Sequence, residues 1–219
     1  MVRNLLTALV SAVVLTAATL AGAAPAAAAP PPLSGGMRIT GSDGMGCSVA
    51  FADPISTRRI YTAAHCYTPG AAREVSLGRY RIGRYRPDLV YDTKLDLVAI
   101  QLYEGVTSDY AQCTYTLCYP LGSPRVPQVG DYVCKFGAST RETCGPVLNV
   151  WKDEFAVKLP ARHGDSGSPI YQLDADGTMH LVGMVNSINR RDRSIAYGTH
   201  ITRIAELLQN IWGSGWRMY

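Results

Sequence analysis

The sequence predicts an all-β protein with a single α-helix at its C-terminal end. Short runs rich in Val, Ile and Tyr, such as residues 179–188, alternate with clusters of Gly, Pro, Asp and Ser, which is typical of strands joined by turns. Asp176–Gly177 lies between two such runs and predicts a hairpin. Only residues 201–212 repeat apolar side chains at steps of three and four, and Gly213 is the expected end of that helix. Many strands and one terminal helix favour a sandwich or a barrel.

The N-terminal segment predicts export from the cell. Residues 1–29 carry Arg3 as their only charge, followed by a long stretch of Leu, Val and Ala and then by small residues, which is the pattern of a cleaved signal peptide. An uncleaved membrane anchor is the alternative, although no basic residue stops the stretch. Residues 30–38 contain several Pro and Gly residues, so we expect a flexible leader there and one domain at 39–219.

The charge and the cysteines restrict the possible partners. The formal net charge is only +4 at pH 7, so we expect no nucleic-acid partner, and no segment after residue 30 is apolar enough to span a membrane. An even number of cysteines behind an export signal predicts disulfides and a secreted, extracellular protein. The six cysteines are Cys47, Cys66, Cys113, Cys118, Cys134 and Cys144. Because the sequence has no C-x-x-C or H-E-x-x-H motif, we expect no metal and no cofactor.

Residues 163–168, with the sequence HGDSGS, form the first candidate for catalysis. Gly164 and Gly167 leave Ser166 open to a substrate and let the backbone bend so that N–H groups converge. Serine becomes a nucleophile beside a base that a third group orients, and it needs donors for the oxyanion that it creates. For this motif alone, a polar Gly turn before a strand is the alternative.

His65 is the predicted base among the four histidines. It ends a β-like run and is followed by a cysteine, which would fix its backbone in a disulfide. His163 is too close to Ser166 along the chain to face it across a cleft. His180 and His200 lie in β-like runs, where a structural or surface role is the simpler interpretation.

Asp96 is the predicted acid that orients the base. It precedes a long apolar strand, and a hydrogen bond from an imidazole would compensate the desolvation of a carboxylate there. Asp88 and Asp92 are nearby alternatives in more polar surroundings.

The order of the three groups along the chain separates two kinds of hydrolase. The order His65, Asp96, Ser166 is one known arrangement of a serine triad. The order Ser166, Asp176, His200 would be that of esterases and lipases. The alternation of strands and helices that this second fold requires is absent from the sequence.

Three motifs in this order resemble those of the trypsin/chymotrypsin-like serine proteases: TAAHC at 62–66, LDLVAI at 95–100 and GDSGSP at 164–169. Residues 129–145 resemble the secreted bacterial branch of that family, which includes streptogrisins and α-lytic protease. The resemblance extends over about residues 39–212. It implies two six-stranded antiparallel β-barrels with the active site between them. We expect the barrels at about 39–110 and 120–200 and the helix at about 201–212.

The resemblance also implies a serine endopeptidase that acts on proteins or peptides as a monomer. His65 would serve as general base and then general acid, Asp96 would orient it, and Ser166 would attack. The N–H groups of Gly164 and Ser166 would form the oxyanion hole. Two other functions stay open: a protease-fold binding protein without catalysis, and a secreted carboxylester hydrolase that uses the same serine.

Several supporting residues follow from the same resemblance. The disulfides that it implies are Cys47–Cys66 and Cys134–Cys144, and Cys113–Cys118 is the remaining pair. Lys135 occupies the place of an internal cation in the bacterial branch, so we expect it to pair with Asp165. Arg38–Ile39 resembles the activation site of animal relatives, although Ile39 has little chain with which to reach Asp165.

The substrate pocket is expected to involve residues 186–188, which are Asn186, Ser187 and Ile188. Ile188 would narrow it, and the lack of an acidic residue between positions 154 and 165 disfavours Arg or Lys as the bound side chain, so we expect small or medium apolar side chains. Ser168 stands where most relatives have Gly and could crowd the pocket. The cysteine that usually precedes the GDSGSP motif is missing, so the pocket rim lacks its usual disulfide.

Overall fold

The computed structural model describes residues 29–109, 112–113 and 117–218, so nearly all of the predicted signal peptide lies outside the described residues. The strands of the first half are β1 (Arg38–Gly41), β2 (Gly46–Ser48), β3 (Phe51–Asp53), β4 (Ser56–Ala63), β5 (Glu74–Leu77), β6 (Tyr80–Tyr85), β7 (Tyr91–Asp92) and β8 (Leu97–Leu102). The rest are β9 (Gln112–Cys113), β10 (Cys118–Tyr119), β11 (Tyr132–Gly137), β12 (Arg141–Val150), β13 (Glu154–Val157), β14 (Pro169–Leu173), β15 (Met179–Ile188), β16 (Ala196–His200) and the helix α1 (Ile201–Trp212). The predicted all-β class is therefore confirmed.

The second half is the closed six-stranded barrel that the sequence predicts, in the order β11-β12-β13-β16-β15-β14. Every neighbouring pair that forms its ladders is antiparallel. Apolar side chains from these strands fill its interior, which removes their surface from water and stabilises the closed form. They include Val133, Val147, Phe155, Val157, Ile170, Val182 and Val185.

The first half differs from the six-stranded barrel that we expected. It is an eight-stranded sheet in the order β2-β1-β5-β6-β8-β4-β3, with β7 paired to β8. The two end strands, β2 and β3, are separated only by Val49 and Ala50. Val49 N donates to Met37 O at 2.9 Å and Ala50 N to Tyr61 O at 2.8 Å. One bent segment therefore joins both ends of the sheet, which curves it into a half-barrel without a ladder between the ends.

The helix α1 covers the predicted residues 201–212 and packs on β15 and β16. Ile201, Ile204 and Leu208 form its buried stripe. Gly213 follows with φ 90°, a backbone conformation that glycine adopts without strain and that ends the helix. Among the described residues, no helix has the length and apolar character needed to cross a membrane.

A buried carboxylate fastens the C-terminal end to the first sheet. Asp53 Oδ2 accepts hydrogen bonds from Arg59 Nη1 at 3.0 Å, Tyr61 Oη at 2.5 Å and Trp216 Nε1 at 3.4 Å. The Arg59 guanidinium also lies 3.9 Å from the ring centroid of Trp212. Burial, together with the charge of Asp53, raises the pKa of Tyr61 far above its usual value. We call these five residues the Asp53 cluster.

The segment that we expected to be a flexible leader is packed onto the domain. Leu33 is fully buried, its N–H donates to Thr107 O at 2.9 Å, and its carbonyl accepts from Asp109 N at 2.8 Å. Gly36 N donates to Val49 O at 2.7 Å. One apolar side chain and these backbone bonds outweigh the flexibility that the Pro and Gly content favours.

Candidate active site

His65 and Asp96 form a rigid pair at one edge of the first sheet. His65 lies in a short 3-10 helix, Ala64–Cys66, directly after β4, and Asp96 lies in the turn before β8. His65 Nδ1 is 2.8 Å from Asp96 Oδ2, and His65 N donates to Asp96 Oδ1 at 2.9 Å. A third bond joins Ala64 N to Asp96 O at 2.9 Å. Asp96 has φ 52°, a left-handed conformation that a short polar side chain tolerates.

This arrangement fixes the histidine tautomer. A carboxylate only accepts hydrogen bonds, so Nδ1 carries the hydrogen and the neutral ring keeps its lone pair on Nε2. The His65 side chain is 44% exposed and that of Asp96 17%. The base is thus open to a substrate while the acid behind it is largely covered.

Ser166 lies in a tight turn that carries two positive-φ glycines, Gly164 (φ 101°) and Gly167 (φ 85°). A Cβ on Gly167 would lie 2.4 Å from Ser48 O, and one on Gly164 would lie 2.2 Å from Ser139 Oγ. Both positions therefore require glycine because of backbone conformation and close packing. Gly167 faces the first half of the molecule rather than the substrate, which differs from the role that we expected for it.

The backbone donors of this turn divide into used and unused groups. The N–H groups of residues 165, 167 and 168 donate to Arg162 O, Val185 O and Asp165 O. Within the described residues, the N–H groups of Gly164 and Ser166 donate to no protein atom. Two alternate amides are thus left for a ligand, which is the pattern that an oxyanion hole needs.

The predicted catalytic, oxyanion-hole and substrate-binding residues other than Asp96 line a cleft of about 1210 Å³. Its lining includes His65, Gly164, Ser166, Asn186, Ser187 and Ile188. Among the described residues, neither His65 Nε2 nor Ser166 Oγ has a hydrogen-bond partner, so the two groups are not bonded to each other. Catalytic hydrogen bonds are often long without substrate and shorten in its presence.

Lys135 and Asp165 form a buried ion pair beneath the Ser166 turn. Both side chains are 0% exposed, and Lys135 Nζ lies 3.5 Å from Asp165 Oδ2. Thr140 Oγ1 lies between the two charges: it donates to Asp165 Oδ2 at 2.6 Å and accepts from Lys135 Nζ. Asp165 also accepts from the N–H groups of Ser139, Thr140 and Arg162.

These contacts set the pKa values of the pair. Burial alone would raise the pKa of Asp165, but the hydrogen bond from Thr140, the charge of Lys135 and the backbone N–H groups outweigh it and hold that pKa below its usual value. Burial lowers the pKa of Lys135, while Asp165 opposes this shift. The Asp165 carboxylate is thus ionised at neutral pH and holds the backbone of residues 139–140 and 162 around the turn.

Ser48 connects the two halves of the molecule at this point. It is buried at the end of β2, its N–H donates to Ser166 O at 2.8 Å, and its hydroxyl donates to Gly164 O at 2.8 Å. The same hydroxyl accepts from Ala138 N at 3.0 Å. Its position next to Cys47 was a possible signal in the sequence, but we did not identify it there.

Two disulfides lie close to these groups. Cys47–Cys66 joins β2 to the short helix that carries His65, and Cys134–Cys144 joins β11 to β12. Cys118 is in register with Cys113 across β9 and β10. The side chain of Cys113 lies outside the described residues, so the third pairing stays a prediction.

Apart from His163, the residues considered as alternative catalytic acids or bases lie outside the cleft. Asp88 pairs with Arg73 and Arg86, and Asp92 accepts from backbone N–H groups of its own turn. The remaining alternatives are also engaged away from the cleft: Asp176 with Thr178, His180 with Asp174, and His200 with the carbonyl oxygens of Trp151 and Glu154. The esterase order, Ser166, Asp176 and His200, is therefore not assembled here.

Ser168 does not crowd the cleft. Its side chain is buried and its hydroxyl donates to Asp165 O at 2.6 Å, so it points into the support of the turn. His163, which we set aside as a base, lines the cleft.

Four arginines that we did not predict as cleft residues line the cleft as well: Arg38, Arg162, Arg190 and Arg193. The basic run NRRDR at 189–193 was a signal for two of them.

No group of three or more His, Cys, Asp or Glu side chains that could hold a metal occurs in the described part of the chain.

Comparison with known proteins places the fold and the family. No family model matches the chain. Two uncharacterized proteins of Mycobacterium tuberculosis, from strains CDC 1551 / Oshkosh and H37Rv, are each 32% identical over 153 residues, which cover 65% of this chain and 68% of theirs.

Three solved structures are similar at TM-scores of 0.63 to 0.66. A glutamic acid specific serine protease that uses a histidine triad in substrate binding has a TM-score of 0.66 at 20% identity, covering 80% of this chain and 97% of its own. The Nocardiopsis protease NAPase has 0.63 at 20%, covering 81% and 96%, and Thermobifida fusca Protease A has 0.65 at 19%, covering 81% and 96%. The chain therefore has the chymotrypsin-like fold of bacterial serine proteases and belongs to the same family as the uncharacterized mycobacterial proteins.

Proposed function

We propose that this protein is a serine endopeptidase that hydrolyses peptide bonds through an acyl-enzyme. The observation that carries the proposal is the His65–Asp96 pair, with Nδ1 bonded to the carboxylate and Nε2 free, in the same cleft as Ser166. The protease fold supports the same reaction class.

In the first step His65 Nε2 takes the proton of Ser166 Oγ as the oxygen attacks the carbonyl carbon of the substrate. Asp96 keeps the ring in the required tautomer and stabilises the imidazolium that forms. His65 then gives the proton to the leaving amine, and the acyl group stays on Ser166. A water molecule repeats the attack with His65 again as base, which releases the acid and restores the serine.

The unused N–H groups of Gly164 and Ser166 would bind the oxyanion of each tetrahedral intermediate. Such donors stabilise the transition state more than the ground state, and losing one typically costs about 3 kcal/mol. The Lys135–Asp165 pair would keep the backbone of the turn in this orientation before substrate arrives.

The site of action would be extracellular. The N-terminal segment has the pattern of a signal peptide, and the disulfides Cys47–Cys66 and Cys134–Cys144 suit an oxidising compartment. Proteins or peptides would be the substrates, with a single copy of the chain as the active unit.

The test combines active-site labelling with turnover. Diisopropyl fluorophosphate should modify Ser166, as located by mass spectrometry, and casein should be cleaved. Ser166→Ala should abolish labelling and lower kcat by about 10⁴-fold or more, whereas Ser214→Ala, an exposed serine outside the cleft, should change neither. A folded protein that is not labelled and cleaves no peptide bond would be a binding protein instead. Labelling with hydrolysis of carboxylesters alone would identify an esterase.

A further inference from the structure

We propose, on the basis of the proposed peptidase function, that the cleft selects peptides with Asp or Glu side chains next to the scissile bond. The lining carries Arg38, Arg162, Arg190 and Arg193 together with His163, and no Asp or Glu of the described chain lines it. A concave site with charges of one sign concentrates the field and attracts the opposite charge.

The cleft arginines differ from most others in the protein. Seven arginines outside the cleft form ion pairs: Arg59, Arg73, Arg81, Arg84, Arg86, Arg125 and Arg203. None of the four cleft arginines has a carboxylate within 4.0 Å among the described residues. Their charges therefore meet no carboxylate of the described chain, and a carboxylate ligand would form charge-assisted bonds with them.

Arg38 lies beside the candidate oxyanion hole. Its Nη1 is 3.3 Å from the position that a Cβ on Gly164 would occupy, and its Nη2 is 2.5 Å from that of a Cβ on Gly46. The guanidinium therefore spans the two glycines at the wall formed by β1 and β2. A substrate residue at this wall would meet a planar cation that can bind a carboxylate through two N–H groups.

Arg190 and Arg193 line the cleft from the loop after Ile188 that joins β15 to β16. The acidic residue of that loop is Asp192, and its carboxylate accepts from the N–H and the hydroxyl of Ser194 at 2.9 and 2.6 Å. It does not line the cleft and is not paired with either arginine. Acidic selectivity therefore replaces the apolar preference that Ile188 alone favours.

The kinetic test uses matched internally quenched peptides in which each position near the scissile bond carries Glu, Gln or Lys in turn. At 20 mM NaCl the best Glu peptide should have a kcat/KM at least about tenfold above its Gln counterpart, and 500 mM NaCl should reduce this ratio because salt screens exposed charges. Arg38→Gln and Arg193→Gln should each lower the ratio by about two- to fivefold. Arg79→Gln removes an exposed arginine that also lacks an ion pair but lies outside the cleft, and it should change nothing.

A binding measurement keeps the inference separate from the proposed reaction. Fluorescence anisotropy with Ser166→Ala should give at least about tenfold tighter binding of the Glu peptide than of the Gln peptide, weakened by Arg38→Gln and Arg193→Gln in the same background. Equal affinity, or a preference for Lys, would overturn acidic selection even if peptides are cleaved. Acidic selection in binding without any turnover or labelling of Ser166 would instead contradict only the proposed peptidase function.

Discussion

Two largely buried ion pairs in the described part of the chain have similar chemistry but lie in very different positions. Lys135–Asp165 lies in the second half beneath the Ser166 turn, and Arg59–Asp53 lies in the first sheet and does not line the cleft. Asp165 accepts hydrogen bonds from the backbone N–H groups of Ser139, Thr140 and Arg162. Asp53 accepts one backbone N–H, from Ile55, and otherwise side-chain donors, among them Trp216 near the C-terminal end.

The comparison shows that the role of a buried ion pair depends on the other groups that its carboxylate holds by hydrogen bonds. The desolvation of both charges opposes folding, so neither pair is by itself strong support for stability. Asp165 holds the backbone turn that has two unused N–H donors, whereas Asp53 binds the Trp216 side chain near the C-terminal end. We therefore expect that breaking the Lys135–Asp165 pair lowers both activity and stability, whereas breaking the Arg59–Asp53 pair lowers stability alone.

Among the substitutions that test this comparison, Lys135→Met should have the largest effect. It leaves Asp165 buried without its cation, so the pKa of Asp165 rises and the turn loses its fixed charge. We expect kcat/KM to fall by at least about 100-fold, comparable to the loss of an oxyanion donor, and the free energy of unfolding to fall by about 3–5 kcal/mol. Peptide turnover and urea unfolding, both at 25 °C, measure the two effects.

The double variant Lys135→Met/Asp165→Asn sharpens this prediction. Removing both charges should recover part of the lost stability, but an amide nitrogen cannot accept from Arg162 N, so activity should stay low. Wild-type turnover in the single variant would contradict a supporting role for Lys135 in the site.

Arg59→Met should give the converse result. Asp53 would lose its cation and Trp212 its guanidinium contact, and because Arg59 is slightly accessible to water we expect a loss of about 2–3 kcal/mol in the free energy of unfolding. The folded fraction should keep its kcat/KM within twofold. Arg59→Lys is the matched control that keeps the charge. A loss of activity as large as that of Lys135→Met would show that the two pairs do not have separate roles.

Ser168→Ala should have the smallest effect and provides a neutral reference beside the Ser166 turn. It removes one buried hydrogen bond to Asp165 O, so we expect about 1 kcal/mol less stability and little change in kcat/KM. Thermal unfolding and peptide kinetics test this. A marked rise in turnover of larger substrates would mean that the hydroxymethyl group obstructs the cleft after all.

The sequence predicted those parts that short segments specify. The apolar period of residues 201–212 was sufficient for the helix. The local motifs were sufficient to nominate His65 and Ser166, which line one cleft, and Asp96, which is bonded to His65. Lys135 followed from its place in a segment that resembles relatives. In each case the neighbouring residues along the chain carry most of the information.

What the sequence did not predict depends on contacts between distant segments. Ser48 acquires its role because β2 meets the turn at Gly164, and Arg38 lies in the cleft because β1 pairs with β2. The bent segment at Val49 and Ala50 stands where the closed first barrel that the resemblance implied would have a ladder. Leu33 is buried although its surroundings in the sequence are typical of a flexible segment.

Because Ser48 bonds the first half to the Ser166 turn of the second, the arrangement of His65 and Ser166 depends on contact between the two halves. Parting them would release the carbonyl oxygens of Gly164 and Ser166 from β2 at the same moment as His65 moves away from the serine. On the proposed peptidase function, parting of the halves would by itself end turnover, while the closed barrel of the second half keeps its own ladders.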